Sequence, residues 1–201
     1  MSKSLSNAPL YVAPYIYAHS PTCVVDEQNG DKQLYPLTTN NKILIYEREV
    51  NGWFLDVASE LIDKDMNNNT INNGFVALMI LFSYIEGVQQ YKMGMSSNRH
   101  SEQFFCDGFK EIFTDIDTED NLIKNLYRNA RCGLFHNGMV GNQILIDYKF
   151  DLAINFNDTI KINPLLFLNA IQLDFNRYIT LLKDENNQEI RKKFIAIFSI
   201  D

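Results

Sequence analysis

The chain has 201 residues, 46% hydrophobic and 21% charged, a size and balance that fit one soluble domain with one core. Its net charge of −7 and pI near 5.0 exclude a broad nucleic-acid-binding face, because non-specific affinity for RNA comes largely from Lys and Arg neutralising phosphates. The three cysteines Cys23, Cys106 and Cys132 form no CxxC pair, their number is odd, and the start of the chain has no signal-peptide pattern, so the expected compartment is a reducing cytoplasm.

Met1 to Asn41 holds all but one of the prolines, at Pro9, Pro14, Pro21 and Pro36. Proline at this density argues against helix, so an irregular or extended N-terminal segment, 1–41, is expected to pack on a helical domain, 42–201. The run from Pro9 to Ala18 either adds a strand or lies across the bundle. From Lys42 to Asp65, Ile45, Val50, Trp53, Phe54, Val57, Leu61 and Ile62 recur at helical spacing and predict the first bundle helix. Trp53 falls on that stripe and reads as a core anchor rather than a base-stacking platform.

The Asn-rich Met66 to Asn73 is a linker, and Thr70 or Asn72 is the expected cap of a second helix. That helix is apolar nearly all round through Phe75 to Ile85, interrupted only by Ser83, so it belongs at the bundle centre. The run is far below the ~20 residues needed to span a bilayer, and no membrane is implied. Glu86 stands where the buried stretch ends. It either pairs with an arginine of a later helix, the favoured reading, or reaches water.

Gly94 to His100 reads as a loop, and Ser101 with Glu102 opens a short helix whose Phe104, Phe105, Phe109, Ile112 and Phe113 are core. His19 and His100 have no partners at metal-ligand spacing, so no metal is expected.

The segment Asn121 to Gly138, NLIKNLYRNARCGLFHNG, combines an apolar side (Leu122, Ile123, Leu126, Cys132, Phe135) with chemistry-bearing residues. Lys124, Arg128 and Arg131 fall on neighbouring helical positions. They form either a basic spot for one or two phosphates or solvated charges paired with Asp117, Glu119 and Asp120. Arg131 offers a permanent planar charge that matches phosphate oxygens, and His136 can take or give a proton at neutral pH. On an ideal helix the two lie about 140° apart. Convergence therefore needs a frayed helix end near Gly133 and Gly138, or a second chain presenting its own copy, which predicts a homodimer. Without further context His136 also reads as a helix C-terminal histidine interacting with the last carbonyls.

After Gly138 the period changes. Gln143 to Tyr148, Leu152 to Phe156 and Thr159 to Asn163 predict short strands in a small hairpin or meander. Pro164 opens another helix, with Leu165, Leu168, Ile171, Phe175, Tyr178, Ile179 and Leu182 spaced for burial. Gln188 to Ile200 predicts a final amphipathic helix whose Arg191, Lys192 and Lys193 are expected to face solvent.

Arg131 to His136, preceded by Tyr127-Arg128-Asn129 and followed by Asn137-Gly138, resembles the Arg, four to six residues, His signature of the HEPN superfamily. Phe82 to Gly94 and Phe104 to Phe109 are similar to the long helix and the aromatic helix that precede that signature in HEPN-like proteins, and the resemblance spans roughly Ile43 to Asp184. One position departs, since Cys132 stands where Asn, Asp or His often follows the arginine. The resemblance implies a mainly α, HEPN-like helical bundle that cleaves RNA beside a 2′-hydroxyl without metal or cofactor, at a site composed from two chains. It also implies a toxin of a toxin–antitoxin pair or a phage-defence effector, with an antitoxin or other protein as partner. Arg131 and His136 would be catalytic, and Arg128, Asn129 and Lys124 would hold substrate. Glu86, Cys132 and Asn137 would support them. The alternatives are a non-catalytic HEPN-like module binding RNA, nucleotide or a protein partner, and a helical interaction protein.

Overall fold

The computed structural model describes residues 10–20, 22–116, 118–132, 144–157 and 159–199, with backbone alone for 130–132. The chain is mostly helical with two small sheets. The described part of the proline-rich N-terminal segment is mostly extended, with a 3-10 turn at Glu27–Asn29 and the first helix opening at Thr39 rather than 42, and it takes a more regular form than an irregular segment. β1 (Leu10–Ala13), β2 (Ile16–Ser20), β3 (Cys23–Asp26) and β4 (Lys32–Gln33) form an antiparallel sheet in that order. Ala13, Ile16, Ala18, Val24 and Leu34 join the same hydrophobic core as the helices. Buried Asp26 accepts from both terminal guanidinium nitrogens of Arg48, Nη1 and Nη2, and so ties the sheet to the first helix; a forked pair of this kind adds geometric specificity to the charge attraction.

That first helix is interrupted. α1 (Thr39–Val50) starts at Thr38, whose hydroxyl accepts from Asn41 N at 3.2 Å. A π-helical turn, Asn51–Leu55, then leads without a break into α2 (Asp56–Asn68). Buried positions run Ile43, Tyr46, Val50 and then Leu55, Ala58, Ile62, Asp65. The step from Val50 to Leu55 is five, because a π turn bonds i to i+5 and inserts one residue into the helical pattern. This shifts the buried stripe and overturns the reading of Trp53 as a core anchor, since Trp53 is 43% exposed and Val57 38%. Gly52 allows the turn to abut the sheet, as a Cβ there would overlap the ring of Pro14.

α2 ends at Asn69 in the left-handed conformation (φ 50°). The next helix, α3 (Gly74–Met93), has Asn73 at its N-cap rather than Thr70 or Asn72. The side chain that organises this junction is Asp65 of α2, which is sealed from solvent. It accepts from Thr70 Oγ1 (2.8 Å), Asn73 N (2.8 Å), Asn73 Nδ2 (2.8 Å) and Tyr148 Oη (2.9 Å). α3 packs against α2, α4 (Ser101–Ile112), α6 (Pro164–Lys183) and α7 (Gln188–Ile197). Gly108 of α4 lets that helix lie close, because a Cβ would stand 3.0 Å from Ile85 O. No described helix is long and apolar enough to cross a membrane.

α5 (Asp120–Leu126) runs into a second π-helical turn, Tyr127–Cys132. β5 (Ile144–Ile146), β6 (Ile154–Phe156) and β7 (Ile160–Ile162) follow. β6 and β7 make the expected hairpin, but β5 pairs with β7 in parallel, giving the order β5-β7-β6 rather than a meander. Parallel neighbours need a crossing connection. Asn163 holds it, donating Nδ2 to the carbonyls of Tyr148 and Phe150 at 2.8 Å while its Oδ1 accepts from Leu165 N and Leu166 N. Pro164 at the first turn of α6 has no amide to satisfy. In α7, Arg191 is 8% exposed, against the expectation that it faces solvent, because it donates to Leu182 O (2.7 Å) and Asn40 Oδ1 (2.9 Å).

Replacing Asp65 with Asn leaves one acceptor oxygen for four donors, and about 2–4 kcal/mol of unfolding free energy is expected to be lost in urea denaturation. Burial pushes the Asp65 carboxyl up, but bonds from Thr70, Asn73 and Tyr148 outweigh it and hold the pKa below its usual value. A lowered folded-state pKa contributes stability that is complete above the unfolded value of ~3.9 and is lost as pH falls through the folded one. Asp65→Asn should therefore flatten the acid side of the stability profile relative to wild type.

Candidate functional site

Ile123 and Leu126 bury one side of α5, and the Tyr127 ring meets Phe105 of α4 with centroids 5.3 Å apart. These contacts seat the signature segment against α4, and the π turn also packs on α3. Its backbone up to Cys132 is π-helical, so the ~140° separation reckoned for an ideal α-helix does not describe the chain entering the signature.

Arg128 projects from this turn and is held by α4. Its Nε donates to Glu102 Oε2 at 2.8 Å and Nη2 to Oε1 at 3.2 Å, a two-point fork. Glu102 was not among the acids expected from the sequence, of which Asp117 lies outside the described residues. Asp120 instead accepts from Lys110, and that bond lowers the carboxyl pKa and raises the lysine's. Lys124, four residues before Arg128, is half-buried, as is Asn129. Burial raises the Cys106 thiol to about 11, Glu102 adds to the rise and Lys124 opposes it; a thiol so far from its thiolate form is a packing group, not a nucleophile.

Glu86 is 8% exposed, so it does not simply reach water. It accepts from the buried Ser97 Oγ at 3.0 Å, while Ser97 N donates to Gln90 Oε1 at 3.0 Å. The loop after α3 thereby folds back over the carboxylate. The side chains of Arg131 and Cys132, and the whole of His136 and Asn137, lie outside the described residues. So does the expected convergence of Arg131 on His136.

Sequence reasoning missed a second polar cluster, at the far end of α3. Asp174 of α6, 8% exposed, accepts from Tyr84 Oη at 3.0 Å and from Lys92 Nζ at 2.8 Å. Lys92 also donates to Glu111 Oε2 at 3.1 Å, whose other oxygen takes Gln89 Nε2 at 3.0 Å. Burial, then the Asp174 charge, raises the Tyr84 phenol well above its usual value. The signal was present: Asp174 interrupts the apolar stripe Ile171, Phe175, Tyr178 of α6, and a carboxylate at a core position requires a partner. Among the described residues, no group of three or more His, Cys, Asp or Glu is placed to hold a metal ion.

No protein-family model, curated protein or solved structure matches the chain. The reading of its chemistry therefore stands on its own residues.

The Lys92–Asp174 pair is a structural tie on this geometry. Asp174→Ala removes the buried partner of Lys92 and of Tyr84, and should cost about 3 kcal/mol in chemical denaturation. A loss below 1 kcal/mol would show that the cluster does not hold α3 to α6.

Proposed function

We propose that the chain is a metal-independent endoribonuclease of HEPN type, acting with Arg131 and His136 at a site composed across a homodimer. The observation that carries this reading is where the signature falls. Arg131 lies in a helix end that leaves α-helical geometry at Tyr127 and is packed on α3 and α4. Single π turns of this kind are frequent at functional sites.

In the proposed reaction His136 removes the proton of a ribose 2′-hydroxyl, and the 2′-oxygen attacks the adjacent phosphorus. The bond from phosphorus to the 5′-oxygen breaks, and the partner subunit's His136 returns a proton to that leaving oxygen. The products are a 2′,3′-cyclic phosphate and a free 5′-hydroxyl. Arg131 stabilises the charge that builds on the phosphorane oxygens, most strongly where water is excluded. Lys124 and Asn129 orient the phosphate or base, and Glu86, Cys132 and Asn137 support the constellation. A net charge of −7 weighs against a broad RNA-binding face and leaves only a narrow site that engages a few phosphates. In this reading the protein is a toxin or phage-defence effector restrained by an antitoxin or another protein.

One observation favours a second reading, a non-catalytic module that binds RNA, nucleotide or a protein partner. Arg128 is committed to Glu102 through two bonds, which reduces what it can offer a phosphate.

Cleavage of a mixed RNA pool in chelator by wild type, Arg131→Ala and His136→Ala separates the two, with light scattering to fix oligomeric state. The expected result is a dimeric wild type that cuts, with each variant dimeric and slower by about 10²-fold or more. An inert wild type that binds RNA supports the second reading, and variants that cut as well as wild type defeat the first.

A further inference from the structure

Away from the signature, α1 and α3 enclose a small cleft of ≈120 Å³ lined by Tyr46, Glu49, Phe54, Tyr84, Gly87 and Tyr91, among others. The rings of Tyr46 and Tyr91 lie 4.3 Å apart at 42°. Phe175 packs edge-on behind Tyr46 and Tyr84, at 5.8 and 6.0 Å. The aromatic walls are thus fixed by core packing before any ligand arrives. Phe54 reaches the cleft from the π turn that sends Trp53 outward.

Two features of this cleft have no account in the fold. The first is Glu49. The buried carboxylates Asp26, Asp65, Glu86 and Asp174 each accept from a donor. Glu49 is half-buried and makes no hydrogen bond or ion pair with any described residue; burial raises its pKa with nothing to offset it. Withdrawing a carboxylate from water without a partner is unfavourable. The second is Gly87, in the interior of α3. Glycine there destabilises a helix relative to alanine, yet a Cβ at Gly87 would meet nothing within 4 Å. Packing against the protein therefore does not demand glycine, and the space it leaves opens into the cleft.

We propose that this cleft binds an alkylammonium cation, seated against the wall that the contacting Tyr46 and Tyr91 rings form together, with Glu49 as its counter-charge and Gly87 as the floor that makes room for it. Aromatic faces attract cations through their quadrupole, and quaternary ammonium groups are recognised at aromatic surfaces. The volume equals about four waters at ~30 Å³ each, well below the ~300 Å³ of a drug-sized pocket. It is large enough for a small head group such as tetramethylammonium. The site is independent of the ribonuclease reading.

NMR titration of the 201-residue chain with tetramethylammonium, choline and 3,3-dimethylbutan-1-ol, the neutral isostere of choline, tests this. Saturable shifts at the Tyr46 and Tyr91 rings are expected with both cations, with the isostere at least tenfold weaker. Glu49→Gln should weaken cation binding about tenfold. Gly87→Met, a good helix former that fills the cleft, should abolish it while leaving the melting temperature equal or higher. A peptide carrying Nε-trimethyl-lysine, set against choline, distinguishes a modified side chain from a free small cation, and binding of either supports the site. Absence of saturable shifts with every cation, equal binding of the isostere, or unaltered binding by Gly87→Met would overturn it.

Discussion

Helix α3 buries Ala77, Leu78, Leu81, Phe82 and Ile85 completely, and in its first turn only Phe75 and Val76 stand exposed. Each large side chain among them contributes about 1.5–3 kcal/mol on burial, and this requirement dictates that α2, α4, α6 and α7 close around it. The same closure forces the polar residues in the second half of α3 into low-dielectric surroundings. Glu86, Gln89 and Lys92 answer by gathering donors and acceptors from the following loop, α4 and α6. Three polar ties of the fold are thus spaced along one helix. Glu86 meets Ser97 of the following loop, Lys92 meets Asp174, and Gly87 lies beside the Tyr46–Tyr91 cleft.

Two π-helical turns then decide what is presented outside. Each inserts a residue into the helical count and rotates everything after it. The first, Asn51–Leu55, moves Trp53 from the core stripe to the surface and places Phe54 at the cleft. The second, Tyr127–Cys132, coincides with the arginine of the signature. In both places the helix gives up α-helical hydrogen bonding beside residues for which a role is proposed, and single π turns are frequent at functional sites.

The periodic helices were readable from sequence because their constraint is local. The apolar run of α3, the phenylalanines of α4 and Pro164 at the start of α6 each state their own structure within a few residues. What escaped depends on partners remote in the chain. Arg191 is buried only because Asn40 and the Leu182 carbonyl await it. Asp65 organises the α3 junction with help from Tyr148 of a later loop. The inserted residue near Trp53 leaves no periodic mark that distinguishes it from an ordinary helix. At the signature, residue types and spacing were legible, whereas the commitment of Arg128 to Glu102 was not, because the two are 26 positions apart. Asp174 was visible as a carboxylate in an apolar stripe; Glu49 resembled any surface glutamate until its surroundings were seen.

The claim that Arg131 and His136 carry RNA cleavage is tested most directly by the products formed in chelator from an RNA oligonucleotide and from its 2′-O-methyl counterpart. The account predicts fragments ending in 2′,3′-cyclic phosphate from the RNA and none from the methylated strand, because attack begins at the 2′-oxygen. No cleavage of the RNA, or equal cleavage of both strands, would contradict it.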